Sequence, residues 1–405
     1  MSNYIPRSLE PVVRQAAAEF PAVVLVGPRQ SGKTTLLHRL YGGSVRLVSL
    51  EPPDVRAAAS IDPRGFLELH RPPVILDEVQ YAPDLLPYIK ERIDQRRSAA
   101  GQYILTGSQN LLLMERVSES LAGRAAVLRL LPLSNRELVG QPERPLPWEG
   151  QSMPSAHSQT APALWKQILR GYYPELAASP TREARLWQAS YVQTYLERDV
   201  RNLRNVGDLS QFQAFLRALA ARCAQLLNLS GLARDVGVSV NTARDWLSIL
   251  EASFQVLVLR PYFANLSKRL VKTPKVYFTD SGLLCYLVGL RDPEHAAAGP
   301  MAGAILENLV VAEVWKALWH RGEQPALHFW RTAMGSEVDL LVETRAGLVP
   351  IEAKASATPR PDMAYQIAAL RRDLGEAIQP GWVIHTGDIT LPLGEGVTAL
   401  PFGRL

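Results

Sequence analysis

Apolar positions follow two rhythms along this chain. In the first third they come as short runs at residues 23–26, 45–50, 74–76 and 103–105, bounded by glycine, proline or charged residues. Runs of that length predict buried strands of a parallel sheet. Between them the spacing is helical. Leu9, Val12, Val13, Ala16 and Phe20 share one face, residues 85–96 read as a further helix, and residues 54–70 are helical in parts. Strand and helix in alternation predict an α/β domain over residues 1–140.

The rest of the chain changes rhythm twice. Residues 141–163 are rich in Pro, Ser and Gln and lack any period, so they read as a linker or mobile loop, with His157 solvated in it. Residues 164–170 and 182–203 read as helices. Residues 229–250 form two helical stretches about Gly237, a helix-turn-helix pattern, and the apolar run at 254–261 follows as a β-wing. Ser239, Asn241, Thr242 and Arg244 would then face a DNA groove, unless the pair serves only as a packing lid. A second domain spans 164–275. From 276 to 405 the order is αβββαβ: an amphipathic helix at 303–321, strands at 327–332, 337–343 and 348–353, a helix at 362–373 and a strand at 381–385.

Three stretches carry chemistry. Gly27-Pro28-Arg29-Gln30-Ser31-Gly32-Lys33-Thr34, with Thr35 opening the next helix, fits G-x-x-x-x-G-K-[ST] between a strand and a helix. Backbone N–H groups and a helix dipole suit such a loop to phosphates. Lys33 would reach the β- and γ-phosphates, and Thr34 would ligate Mg²⁺. Asp77 and Glu78 end the third apolar run. Asp77 would hold Mg²⁺, and Glu78 would activate a water. Thr106 or Ser108, in the run ending at Gln109, is a sensor candidate beside the γ-phosphate. Arg124 is the candidate for a charge supplied to a neighbouring subunit, or else it pairs with the end of its own helix. In the last third, Glu307, Asp339, Glu352 and Lys354 could converge to hold Mg²⁺ and cut a phosphodiester. Alternation places Glu352 and Lys354 on one face of their strand.

Composition narrows the setting. Only two cysteines are present, Cys223 and Cys285, which excludes a disulfide framework and a cysteine-based zinc site and suits the cytoplasm. No run spans a bilayer and no signal core opens the chain, so no membrane partner is expected. Net charge is +5, yet residues 164–275 hold 16 Lys and Arg against 8 Asp and Glu. That excess points to nucleic acid or to solvated helix faces.

These motifs resemble a family of prokaryotic AAA+-type P-loop ATPases. The resemblance rests on residues 27–34, Leu76-Asp77-Glu78, Thr106-Gly107-Ser108 and Leu121-Ala122-Gly123-Arg124. Tyr4-Ile5-Pro6-Arg7, Tyr172-Tyr173-Pro174-Glu175, residues 195–200 and residues 278–283 are similar to that family too. The region 303–354 resembles the PD-(D/E)XK nuclease fold, nearest in style to the Holliday-junction-resolvase and RecB-like branches. Glu337-Val338-Asp339 stands where relatives have Pro-Asp, Glu352-Ala353-Lys354 matches the E-x-K half, and Gln366 sits near a further Gln. The resemblance implies a P-loop parallel-sheet ATPase domain, a helical and winged-helix middle domain and a restriction-endonuclease-like C-terminal domain. It further implies ATP and Mg²⁺ as cofactors, a homo-oligomer in the form of a ring, and DNA, branched or duplex, as partner. The alternative is a nucleotide-gated regulatory switch whose C-terminal domain binds a partner.

Overall fold

The computed structural model describes residues 4–108, 119–150, 159–196, 209–262, 272–394 and 396–405. Gln109, His157 and residues 197–200 lie outside them. Five strands, β1 (Ala22–Val26), β2 (Arg46–Ser49), β3 (Val74–Asp77), β4 (Tyr103–Gly107) and β5 (Ala125–Arg129), form a parallel sheet in the order β2-β3-β4-β1-β5. The apolar runs are continuous because β1, β3 and β4 are buried on both faces. Val23, Leu25, Ile75 and Ile104 face α1 (Glu10–Glu19) and α2 (Lys33–Tyr41). Val24, Val26, Leu76 and Leu105 join the opposite core. That core includes residues from α3 (Pro53–Ile61), α4 (Pro63–Leu69) and α5 (Leu85–Gln95). Asp62 divides α3 from α4 and caps the latter by accepting from Gly65 N at 2.9 Å. β4 lies between β1 and β3, which brings its C-terminal end beside both the P-loop and Asp77.

The expected linker is fixed where it is described. α6 (Asn135–Leu138) begins with a capping box of Ser134 and Glu137. Arg136 donates to Leu405 O at 2.8 Å and Arg144 to Gly403 O at 3.0 Å, which ties this stretch to the chain's last residues. Leu146 is buried, and residues 161–163 already belong to α7 (Ala161–Arg170). Two arginines that find carbonyl acceptors far along the chain give an aperiodic segment a fixed course.

Beyond it come α8 (Pro174–Ala178), α9 (Ala184–Tyr191), α10 (Leu209–Ala220), α11 (Leu229–Val236), α12 (Val240–Ala252), α13 (Ser281–Leu287) and α14 (Pro293–Ala298). The second sheet has eight strands, ordered β12-β13-β11-β10-β9-β8-β6-β7. They are β6 (Val256–Pro261), β7 (Lys275–Phe278), β8 (Leu327–Arg331), β9 (Glu337–Thr344), β10 (Gly347–Lys354), β11 (Gly381–His385), β12 (Leu391–Gly394) and β13 (Val397–Pro401). The strand expected as the β-wing is β6, and it is interior to the second sheet. It pairs antiparallel with β7 and parallel with β8 at Arg260 and Pro261. The boundary expected between residues 275 and 276 falls inside β7.

α15 (Ala302–Trp319) precedes β8, and α16 (Tyr365–Leu374) precedes β11. The expected amphipathic helix is instead buried nearly all round: Glu313 and Lys316 are as inaccessible as Leu306 and Val314. Their charges are covered by the first domain. Asn135 N donates to Glu313 Oε2 at 2.7 Å, and Lys316 Nζ donates to Leu133 O at 3.0 Å. Beside them, Glu137 meets Arg7 Nε at 3.1 Å and His320 Nδ1 at 3.1 Å. No helix of the described residues is long and apolar enough to cross a membrane.

Burial alone would raise the Glu137 carboxyl, but Arg7, His320 and the Ser134 N–H hold it well below the usual range. A depressed folded-state pKa adds stability above the ordinary carboxylate range, and that stability is lost as pH falls through the folded-state value. Glu137→Ala, which strands Arg7, should lower unfolding free energy by about 3–5 kcal/mol in urea titration at pH 7. An unchanged midpoint would remove Glu137 from this role.

Candidate functional site

The P-loop follows β1. A Cβ on Gly27 would stand 2.0 Å from Leu130 O, and Gly32 has φ +93°, so both positions require glycine. α2 then starts at Lys33, whose buried ammonium donates to Gly27 O at 3.0 Å and Pro28 O at 2.9 Å. Thr34 Oγ1 donates to the Asp77 carboxylate at 3.1 Å. Thr106, from the intervening β4, also donates to Asp77, and its Oγ1 accepts from Glu78 N at 3.1 Å. Glu78 has a left-handed backbone, φ 57° and ψ 48°, an uncommon conformation for a glutamate and one that clusters at functional positions. Its Oε2 accepts from Ser108 Oγ at 3.0 Å and from Gln80 Nε2.

The two carboxylates are tuned apart. Burial raises Asp77, with the neighbouring Glu78 charge adding to it against hydrogen bonds from Thr106 and Thr34. Glu78 is also raised by burial, but Lys33, Gln80, Arg29 and Ser108 together hold it below its ordinary value. A half-buried, oriented and ionised glutamate is equipped to take a proton from water. Asp77 and Thr34 offer the hard oxygen donors that suit a divalent cation such as Mg²⁺.

A cleft of about 400 Å³ opens on this loop, lined by Gln30, Lys33, Thr35 and Glu78. Its far side comes from elsewhere: Tyr4 and Ile5 at the N-terminus and Pro174 at the start of α8. The Tyr172-Tyr173-Pro174-Glu175 turn is held by Asp280, which accepts from Tyr172 N at 2.6 Å and caps α13 through Leu283 N at 2.9 Å. Thus the 278–283 motif fixes the turn that lines the cleft. Arg7, which also lines the cleft, donates to Ser31 O at 2.8 Å and fastens the P-loop. Sequence reasoning singles out these motifs without giving them a role at the cleft. It misses Gln80, whose only signal is its place two residues after Glu78.

Arg124 lies at the other edge of the sheet. Ala22 N donates to Arg124 O, so Arg124 is at the N-terminal ends of β1 and β5, away from its own P-loop. Its guanidinium grips Asp94 at 2.7 and 3.0 Å. Asn241, Arg244 and Ser239 are exposed at the start of α12, and Thr242 is half-buried. Ser239 is the N-cap, accepting from Thr242 N at 3.0 Å, while Arg244 donates to Asn241 Oδ1 at 2.9 Å.

Where α15 meets the second sheet, oxygens of Glu307, Glu337 and Asp339 lie within 4.8 Å of one another. The trio expected from sequence held Glu352 in place of Glu337. Glu352 stands beside them, buried, with its carboxyl raised by burial and by the charges of Asp339 and Glu307. Lys354 pairs with Glu352 Oε2, and Glu352 Oε1 is buried without a hydrogen-bond partner. Asp339 Oδ2 accepts from Ala353 N at 2.9 Å, and Gln366 accepts from Glu337 N at 3.3 Å. Burial and the Asp339 charge push Glu307 up to about 8, against Lys275 and Tyr277. Lys275, on β7, has Nζ 2.8 Å from Glu307 Oε1 and in contact with Glu337 Oε1. Neither Glu337 as a cluster member nor Lys275 follows from the sequence pattern.

Residues 19–139 match the family described as AAA domain. Residues 161–294 match a domain of unknown function (DUF8612), and residues 302–405 another (DUF4143). Uncharacterized protein Mb2031c of Mycobacterium bovis and uncharacterized protein Rv2008c of Mycobacterium tuberculosis are each 31% identical over 394 residues, covering 97% of this chain and 82% of theirs. The chain belongs to their family, and its AAA domain makes it an AAA-type ATPase. Among solved structures, the Walker-type ATPase PABY2304 of Pyrococcus abyssi is 15% identical with a TM-score of 0.44, over 70% of this chain and 96% of that one. A point variant of RuvB from Thermotoga maritima is 18% identical with a TM-score of 0.26, over 62% and 86%.

For this ATPase the geometry separates binding from hydrolysis. Lys33→Ala should abolish measurable nucleotide binding in a fluorescent-nucleotide titration. Glu78→Gln should bind as the parent does and hydrolyse about 10²–10⁴-fold more slowly. Hydrolysis at the parent rate by Glu78→Gln would remove Glu78 as the base.

Proposed function

We propose that the chain hydrolyses ATP as a homo-oligomer and uses the cycle to act on duplex or branched DNA, with cleavage by the C-terminal cluster. The observation that carries the DNA reading is a shared sheet. The exposed start of α12 leads into β6, and β6 belongs to the same sheet as β9 and β10, which carry Asp339, Glu352 and Lys354. An element able to enter a groove and a cluster able to hold a phosphodiester therefore sit on one rigid support.

In the nucleotide cleft Lys33 and the loop N–H groups would bind the phosphates, and Tyr4, Ile5 and Pro174 would flank the base. Thr34 and Asp77 would hold Mg²⁺, which neutralises charge on the transferring phosphoryl group. Glu78 would take the proton of the attacking water, with Ser108 and Gln80 fixing its carboxylate. At the C-terminal cluster the mutually close oxygens of Glu307, Glu337 and Asp339 are hard donors that fit a divalent cation, the ion that would orient a water there, and the buried Glu352 Oε1 has no hydrogen-bond partner. Lys354 would stabilise charge developing on the phosphate.

ATPase rate and binding should be measured with duplex, single-stranded and four-way DNA across a salt series. Affinity should fall steeply with salt. The double variant Asn241→Ala, Arg244→Ala should bind DNA about tenfold more weakly and keep its basal ATPase rate. Cleavage in Mn²⁺ should disappear in Asp339→Ala and in Lys354→Ala. If no DNA form binds or changes the rate, the nucleotide-gated switch replaces this reading.

Arg124 tests the oligomer. If it serves a neighbouring subunit, Arg124→Ala should bind nucleotide normally and hydrolyse about 10³-fold more slowly. Mixing it with Lys33→Ala should restore part of the rate. No recovery, with subunit exchange verified, leaves Arg124 as the structural partner of Asp94.

A further inference from the structure

We propose that Lys275 is a built-in counter-cation of the C-terminal carboxylate cluster, and that a divalent metal ion and the Lys275 ammonium compete for it. The inference rests on the reading of that cluster as a divalent-cation site. Three carboxylates brought within 4.8 Å need positive charge between them. The chain supplies it from a separate strand: Lys275 Nζ bridges Glu307 Oε1 and Glu337 Oε1. This lysine is 3% exposed at its side chain and lies over the Phe329 ring, so it belongs to the interior. Tyr277, two residues on, donates to the same Glu307 oxygen at 2.6 Å, which sets that carboxylate toward β7. Arg331 takes the other oxygen of Glu337. Glu337 thus has both oxygens committed to side-chain cations of the chain itself.

A second observation points to an ion rather than to a closed ion-pair network. Glu352 is 1% exposed, its Oε1 is buried without a partner, and the charges of Asp339 and Glu307 act on it. A network completed by Lys275 alone would not leave that atom unsatisfied. The cluster therefore has acceptor capacity beyond what Lys275 fills. An entering divalent ion would share Glu307 with the ammonium, a like-charge contact that disfavours simultaneous occupancy. Lysine is suited to yielding, because its point charge rides on a flexible four-carbon stem.

The test is Mn²⁺ binding to the nucleotide-free full chain, followed by calorimetry and by the electron paramagnetic resonance of bound Mn²⁺. Asp339→Ala serves as the reference that lacks the cluster. Lys275→Met should bind Mn²⁺ at the Asp339-dependent site about tenfold more tightly or better, since a competing charge is gone. Lys275→Gln, which keeps a hydrogen-bond donor, should shift the same way if the methionine variant does not fold. Lys275→Arg keeps the charge and adds donors, so it should bind Mn²⁺ more weakly than the parent. Asp339-dependent binding that is unchanged or weaker on neutralising Lys275 would overturn the competition. Mn²⁺ binding that is the same with and without Asp339 would instead overturn the metal reading of the cluster.

Discussion

Glu137 is a carboxylate without solvent exposure, and the two halves of the chain meet on it. Arg7 reaches it from the N-terminus and His320 from the end of α15. The N–H groups of Ser8 and Ser134 donate to it as well, each at 2.8 Å. A buried ion pair costs heavily in desolvation unless its atoms are partnered. Here the partnering runs outward in both directions. Arg7 also donates to Ser31 O and Leu131 O, and His320 Nε2 accepts from Leu131 N at 3.1 Å. Since Nε2 accepts, the imidazole proton is on Nδ1, facing Glu137. Burial, which lowers the His320 pKa, agrees with that neutral tautomer. The result is a junction that cannot be loosened at one residue without stranding others.

The junction fixes how the nucleotide cleft stands to the carboxylate cluster. Arg7 braces the P-loop at one end. At the other, α15 runs back from His320 to Glu307, about 13 residues or ~20 Å of helix. Lys316 and Glu313 pin its middle to Leu133 and Asn135. One buried helix therefore supplies a residue to the cluster and contacts the segment that follows β5. A rigid element of this kind transmits displacement rather than absorbing it.

Local chemistry is legible in the sequence, and long-range pairing is not. The P-loop, Asp77, Glu78 and Ser108 can be read because strand, turn and helix encode that geometry within a few residues each. The strands of the αβββαβ run can be read from alternation. β5 escapes notice because it is an edge strand, half-buried, whose apolar residues imitate a helix end. α15 is misread because Glu313 and Lys316 count as a polar face in any periodicity argument, while their partners are backbone groups 178 and 183 residues away. The place of the expected wing in the second sheet is hidden for the same reason, since nothing local to β6 reveals that β8 will pair with it.

Charge along the middle of the chain carries a related lesson. Residues 164–275 are basic by composition, but part of that charge is paired within the fold. Arg182 pairs with Glu175, Arg222 with Asp235, and Lys275 with Glu307 and Glu337. Arg170 donates to the carbonyls of Leu176 and Ser179. By contrast, Arg234 and Arg244 are exposed and have no carboxylate partner among the described residues. Both belong to the helix pair α11 and α12. The field such a segment projects is set by the cations left unpaired, and two of those sit on the helix pair whose spacing suits a groove. A count of charges along a sequence cannot make that distinction. It does not show which cations are paired, and the carboxylates that hold Lys275 come from α15 and β9, outside the counted segment.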